Sequence, residues 1–281
     1  WSTGFIVARY AMPYAPPLKF LALRYGLSVL CFVAWMRLAR IAWPLRSERF
    51  HLAVSGVMMH AGYLGGVWAA VKSGIGAGTV ALLVGLQPVL TALWMTWSSR
   101  GPGEEGVAKA RVSPRQWLGL ALGLGGLTLV VWHKLGGGEV THWNLALAIF
   151  ALFSITIGTL YQKRFVAPCD VRSASAIQLF AALAVTLPLA LLEAEPVVWH
   201  PQLIGAMAWS VLALTLGGSS LLYLLIQRGA ATEVTSLMYL VPPCTAVLAW
   251  LLFGEVFTWS MVLGMVLTAS GVALVVRSPS A

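Results

Sequence analysis

The sequence predicts an all-α polytopic membrane protein of ten transmembrane helices, arranged as two inverted five-helix repeats. Three observations predict it. Apolar residues make up 59% of the 281 residues and charged ones only 10%, where an average soluble domain carries roughly 25% charged residues. The apolar residues come in long runs, such as 118–132 and 262–276. A hydrocarbon core about 30 Å thick takes about 20 residues of helix, at about 1.5 Å each. Finally, stretches of the second half can be laid on the first.

The first residues, Trp1 onward, are mostly apolar and are expected to lie within a helix already under way. This first helix runs to about Ala11 and is ended by Pro13, Pro16 and Pro17. The second covers 17–36, where Pro17 suits a first helical turn. The third covers 51–72, and a tight turn over 73–76 leads into the fourth at 77–97. A polar, glycine- and charge-rich stretch, 98–112, forms the longest loop. The fifth helix covers 113–133, and glycines 136–138 mark the turn that divides the halves, 1–140 and 141–281. The remaining five are expected at 141–165, 171–192, 202–227, 232–253 and 258–277.

Loop charge orients these spans. One side holds thirteen Lys and Arg residues, among them Arg37, Arg46, Arg100, Lys163, Arg228 and Arg277; the other holds five, Arg9, Lys19, Arg24, Lys72 and Lys134. The richer side is expected in the cytoplasm, with both termini. This placement accounts for the +9 net charge through membrane orientation, and no nucleic-acid partner is expected. Trp35, Trp43, Trp97, Trp117, Trp132, Trp143 and Trp259 fall near helix ends, where an amphipathic ring prefers the headgroup level. Cys31, Cys169 and Cys244 have no metal-site or disulfide spacing; they read as free thiols, and neither metal nor cofactor is called for.

A shift of 145 positions aligns Leu118, Gly119, Leu122, Gly126, Leu129, Val130 and Val131 with Leu263, Gly264, Leu267, Gly271, Leu274, Val275 and Val276. A shift of 155 aligns Gly74 with Gly229 and Pro88 with Pro243. Five helices per half is an odd number, so the second half enters the membrane upside down. Inverted repeats are a frequent transporter architecture, with a midplane site reached alternately from the two sides.

The chain resembles the drug/metabolite transporter superfamily, in its EamA branch. The resemblance rests on Gly4 to Arg9 at the end of the first helix and on Pro17 to Arg24 entering the second. It rests also on Gly85-Leu-Gln-Pro-Val-Leu-Thr-Ala92 in the fourth and on Leu240 to Ala249 around Pro242 and Pro243, closing on Gly254-Glu255. It departs at Arg100, where the first repeat often carries a Glu like Glu255. The resemblance implies a central cavity lined by the first, third, fourth, sixth, eighth and ninth helices. It also implies a protein of the bacterial inner membrane exporting amino acids, other metabolites or drugs. Related branches exchange nucleotide sugars or sugar phosphates.

Polar groups at membrane depth are costly and mark function. His60 and Tyr63, three apart near the centre of the third helix, are the strongest signal. Gln87 stands beside Pro88, whose ring frees a backbone carbonyl that Gln87 could satisfy, or Gln87 could reach substrate. The eighth helix offers Thr215, Ser219 and Tyr223 as a stripe; the ninth offers Ser236 and Tyr239 just before Pro242-Pro243. Pro88, Pro242 and Pro243 are the candidate helix breaks. Trp1, Ser2, Ser154 and Thr156 would complete a ring. Small hydroxyls also glue helices together, which is the competing role for Thr215 and Ser219.

No Asp or Glu lies near a helix centre, so a carboxylate proton relay is not visible. Arg24 is expected to snorkel to headgroups with Arg9 and Lys72. An uncharged or zwitterionic small-molecule substrate follows. H-E-x-x-H, Gly-x-Gly-Asp and Gly-x-Ser-Gly do not occur, which argues against an intramembrane enzyme, and no ring of charges suggests a channel. Gly119 with Gly123, and Gly62 with Gly66, read as close packing inside the bundle, of a monomer in the lipid bilayer.

Overall fold

A computed structural model of the chain describes residues 1–98, 114–135, 138–221, 240–255 and 258–276. Tyr223, Ser236, Tyr239, Arg100, Arg228 and Arg277, singled out above, lie outside the described residues. Every regular element among the described residues is helical: α1 (Ser2–Ala11), α2 (Pro17–Leu38), α3 (Arg46–Lys72), α4 (Ala77–Val84), α5 (Gln87–Ser98), α6 (Pro114–Leu135), α7 (His142–Phe165), α8 (Val171–Leu192), α9 (Pro201–Leu221), α10 (Val241–Phe253) and α11 (Trp259–Val276). Five of them, α2, α3, α7, α8 and α9, are long and apolar enough to cross a membrane, and shorter apolar helices stand beside them.

Three features differ from the sequence reading. First, α3 begins at Arg46 rather than near residue 51. The charged turn at its start extends past the apolar run, with Glu48 in the first turn, where a negative side chain suits the helix dipole.

Second, the fourth expected helix is split at Gly85 and Leu86 into α4 and α5. Gly85 packs against Pro242 at the start of α10: a Cβ on Gly85 would stand 2.9 Å from the Pro242 ring and 3.1 Å from the Leu82 carbonyl oxygen. Pro88 therefore sits in the first turn of α5 rather than in a helix interior, and there its missing N–H costs little. Pro242 likewise lies in the first turn of α10.

Third, α3 and α9 each contain a π-helical segment, Val57–Gly62 and Trp209–Gly217. Such wide turns are rare and cluster at functional sites.

The helices pack in pairs. α6 lies along α11, α2 along α8, α3 along α7, and α4 along α10, while α1 leans on α9 and α10. Lipid tails are as apolar as leucine, so these pairs are held by close packing and interhelical hydrogen bonds rather than by water exclusion. On α2 the buried stripe is Phe20, Leu21, Arg24, Tyr25, Ser28 and Phe32, while Leu27 and Leu30 face outward. Phe20 stacks on the buried Trp68 of α3 with ring centres 4.4 Å apart. Gly62 meets Ser154, and Gly66 meets Ala151 and Leu147 of α7, so these small residues serve packing within the chain. Trp43, Trp117, Trp132, Trp143 and Trp259 are all exposed.

Polar contacts fasten one end of the bundle. Glu255 accepts from Arg9 (3.1 Å) and from the Ala77 N–H at the start of α4 (3.0 Å). Glu139 accepts from the Gly76 N–H, and Glu193 from the Leu18 and Lys19 N–H groups that open α2. Lys72 pairs with Glu195. Each carboxylate at a helix N-terminus satisfies donors that the helix cannot.

Candidate functional site

The site is built where α2 meets the two π-helical segments. Tyr25, fully buried on α2, donates its hydroxyl to the backbone carbonyl of His60 (2.8 Å), and its ring stands 6.1 Å from the His60 ring, edge on. The wide turn of α3 places His60 and Tyr63 together there, both half-buried. One residue before Tyr25 stands Arg24, also buried. Its Nε–H and Nη2–H donate to the Thr215 hydroxyl of α9, at 3.3 and 3.1 Å. Thr215 in turn donates to the Ser210 carbonyl inside its own π segment (2.8 Å). The guanidinium lies within Coulombic range of Tyr25, His60 and Tyr63. Among the described residues no carboxylate pairs with it.

The structure thus gathers His60, Tyr63 and Thr215 of the sequence-derived set. Gln87 stands one helix away, donating to Thr159 of α7 (2.9 Å) rather than to a freed carbonyl, and remains half-buried. Ser219 is half-buried at the end of α9. Ser2 and Thr245 tie α1 to α10, Ser154 donates to the Met58 carbonyl of α3 (2.8 Å), and Thr156 bonds back into α7. The hydroxyls of Ser2, Thr245 and Ser154 thus fasten helices to one another.

Arg24 is the correction. It does not snorkel, because it falls on the inward stripe with Phe20, Ser28 and Phe32 and not on the outward stripe of Leu27 and Leu30. The signal was present in the sequence: Arg24, Tyr25 and Ser28 form a polar stripe at helical spacing. Gln178 was missed for the same reason. It is buried on α8 and donates to Ser55 of α3 (3.0 Å) and to Gln162 of α7 (3.1 Å). A separate groove between α2 and α8, of about 510 Å³, is walled by Gly26, Leu27, Leu187 and Leu191; it is apolar and outward-facing, and contains none of this chemistry. No cluster of metal-ligating side chains occurs among the described residues.

Polar groups buried between apolar spans are candidates for function, and comparison with known proteins gives the family. The profile of the EamA-like transporter family matches residues 1–132 and 142–277. The chain belongs to the EamA-like transporter family. An EamA-type protein of this family, within the drug/metabolite transporter superfamily, is a membrane transporter. Among its relatives is a "Probable amino-acid metabolite efflux pump" of Salmonella typhimurium, 24% identical and covering 96% of this chain and 89% of the relative. An "Uncharacterized inner membrane transporter YedA" of Escherichia coli K12 is 24% identical over 91% of this chain and 80% of its own length. A protein of known crystal structure shares the fold with a TM-score of 0.64, at 20% identity, over 98% of this chain and 91% of that one.

Proposed function

We propose that this EamA-family protein is a secondary transporter that exports small uncharged or zwitterionic metabolites, amino acids foremost, across the bacterial inner membrane. It does so by alternating access between two inverted five-helix halves, 1–140 and 141–281, with both termini cytoplasmic. The observation that carries the reading is the polar cluster at the boundary of the halves: Arg24, Tyr25, His60 and Tyr63 come from the first, Thr215 from the second. The name of the Salmonella relative supports amino acids as cargo.

Internal symmetry supports the two halves. The π-helical segments fall in the third span of each half. Arg24 donating to Thr215 has a counterpart in Gln178 donating to Ser55, with donors 154 and acceptors 160 positions apart. Gly126 approaches Gly264 and Gly271 approaches Gly119; the 145-position shift exchanges these two contacts. Such symmetry makes two states of similar energy available from one design. The links from Glu255 and Glu193 across the halves lie at the end that loop charge assigns to the outside. This arrangement therefore reads as the state closed to the exterior.

The test is a counterflow screen of labelled amino acids and drugs in proteoliposomes, with and without a pH gradient. At least one amino acid exchanges if the reading holds. Failure of every amino acid to exchange refutes it. A nucleotide-sugar or phosphate-ester exchanger of the same fold is the second reading, favoured by one observation, the buried cation of Arg24. A tight thermal-shift response to a nucleotide sugar would put it first.

A further inference from the structure

We infer that Arg24 is the anion anchor of this site and that the transported substrate must carry a carboxylate. The inference rests on the transporter reading above and narrows its substrate class.

A guanidinium is charged under all physiological conditions and presents five N–H donors in a planar fork. Arg24 spends two of these on one neutral hydroxyl, Thr215. Thr215 can orient the fork, but it cannot neutralise it. Its other near neighbours, Tyr25, His60 and Tyr63, are uncharged or cationic in their ordinary forms. A buried charge without a counter-charge is among the more costly features a protein can hold, and within a membrane span it marks function by default. Of the six described carboxylates, Glu139, Glu193, Glu195 and Glu255 are engaged at one end of the bundle, on helix N-termini, Arg9 and Lys72, Asp170 pairs with Arg172, and Glu48 stands in the first turn of α3. Among the described residues, then, none completes Arg24, and on our inference a solute does so.

The fork's geometry favours a carboxylate, taken side on through two N–H···O bonds. One cation matches one negative charge; a phosphate ester, with close to two charges at neutral pH, would leave the site with an excess of negative charge and no second base beside it. Two further hydroxyls suit a small polar solute. The side-chain hydroxyls of Ser28, one turn along α2, and of Ser210, in the same π segment as Thr215, are fully buried and make no hydrogen bond with any described residue. The aromatic rings of Tyr25 and Tyr63 supply a face for an ammonium group or an aromatic side chain.

The experiment compares four molecules that share one side chain: L-phenylalanine, N-acetyl-L-phenylalanine, L-phenylalanine methyl ester and phenethylamine. Binding to the full chain in detergent is read by thermal shift, and competition is read in proteoliposomes. The two carboxylates bind at least tenfold more tightly than the ester and the amine. Equal response to all four, or no response to the carboxylates, overturns the inference. The wild-type panel does not depend on any variant folding. Arg24→Gln then abolishes the preference for carboxylates. Thr215→Val, which keeps the charge and removes its orienting oxygen, reduces the preference without abolishing it. Retention of the full preference in Arg24→Gln would also overturn the assignment. The two readings fail separately. If N-acetyl-phenylalanine binds and no amino acid exchanges, amino-acid export fails and Arg24 stands; if amino acids exchange and the ester competes equally, the reverse holds.

Discussion

Gly126 of α6 and Gly264 of α11 meet backbone to backbone: a Cβ built on Gly126 would stand 2.6 Å from the Gly264 carbonyl oxygen. The same closeness recurs where Gly271 faces Gly119 and Gly123. The small-residue motif that could have served dimerisation is thus occupied inside one chain. Replacing Gly126 by Leu should force the helices apart and cost about 1–3 kcal/mol or more, as overpacking does. Gly125, one position earlier, has no atom within 4 Å of a built Cβ, so Gly125→Ala should be neutral or slightly stabilising. Thermal unfolding in detergent followed by tryptophan fluorescence checks both; equal melting of the two variants would argue against the seam.

The split between α4 and α5, set against Pro242, is a place where the chain can bend. Pro88→Ala restores a backbone N–H at the start of α5 and removes the ring that keeps α5 separate. Stability should change by under about 1 kcal/mol, since a proline in a first turn is tolerated, while the exchange rate should fall severalfold. A variant that exchanges at the normal rate would remove Pro88 from the moving parts.

His60→Ala and Tyr63→Ala should each abolish substrate flux while leaving a folded protein, because both side chains are half-buried and neither is central to the packed core. Tyr25→Phe is the graded comparison. It removes one buried hydrogen bond to the His60 carbonyl, worth about 1 kcal/mol, and should lower affinity modestly. Flux that persists in both alanine variants would move the site elsewhere.

Asp170 caps α8 outside the membrane spans. Its carboxylate accepts from the Arg172 backbone N–H (2.9 Å) and from the Arg172 guanidinium (2.8 and 3.0 Å). The Arg172 side chain, more than any other cause, holds this carboxyl below its ordinary value. A group depressed in the folded state stabilises above its unfolded pKa, about 3.9 for Asp, and loses that contribution as pH falls through the folded value. Asp170→Ala should therefore cost about 1 kcal/mol at pH 7, and the gap in melting temperature from wild type should shrink below about pH 4. A gap that widens in acid would contradict the assignment.

Much of this fold was legible in the chain because a bilayer imposes simple rules. Apolar length sets the spans, proline and glycine punctuate them, and unpaired backbone is forbidden in lipid, so α2, α7 and α8 begin and end within a few residues of expectation. His60, Tyr63 and Thr215, singled out by the cost of polar groups at depth, lie around one buried cluster in the structure. Arg24 and Gln178 were misread or overlooked because an arginine eight residues into a helix can serve the headgroups or the interior, and hydropathy does not separate the two faces of α2. The sequence puts a candidate break at Pro88 inside one helix, whereas the chain divides at Gly85 and Leu86, since Pro88 has the same spelling in a helix interior and in a first turn.

The sequence by itself determined that this is a helical membrane protein, because hydrophobic length is a one-dimensional quantity. Which faces meet was decided only by the tertiary structure. The wide turns of α3 and α9 are packed against neighbouring helices, and they hold His60 and Thr215 on either side of the Arg24–Tyr25 pair. A buried charge takes its meaning from what surrounds it, and the surroundings of Arg24 come from helices up to 191 residues away in the chain.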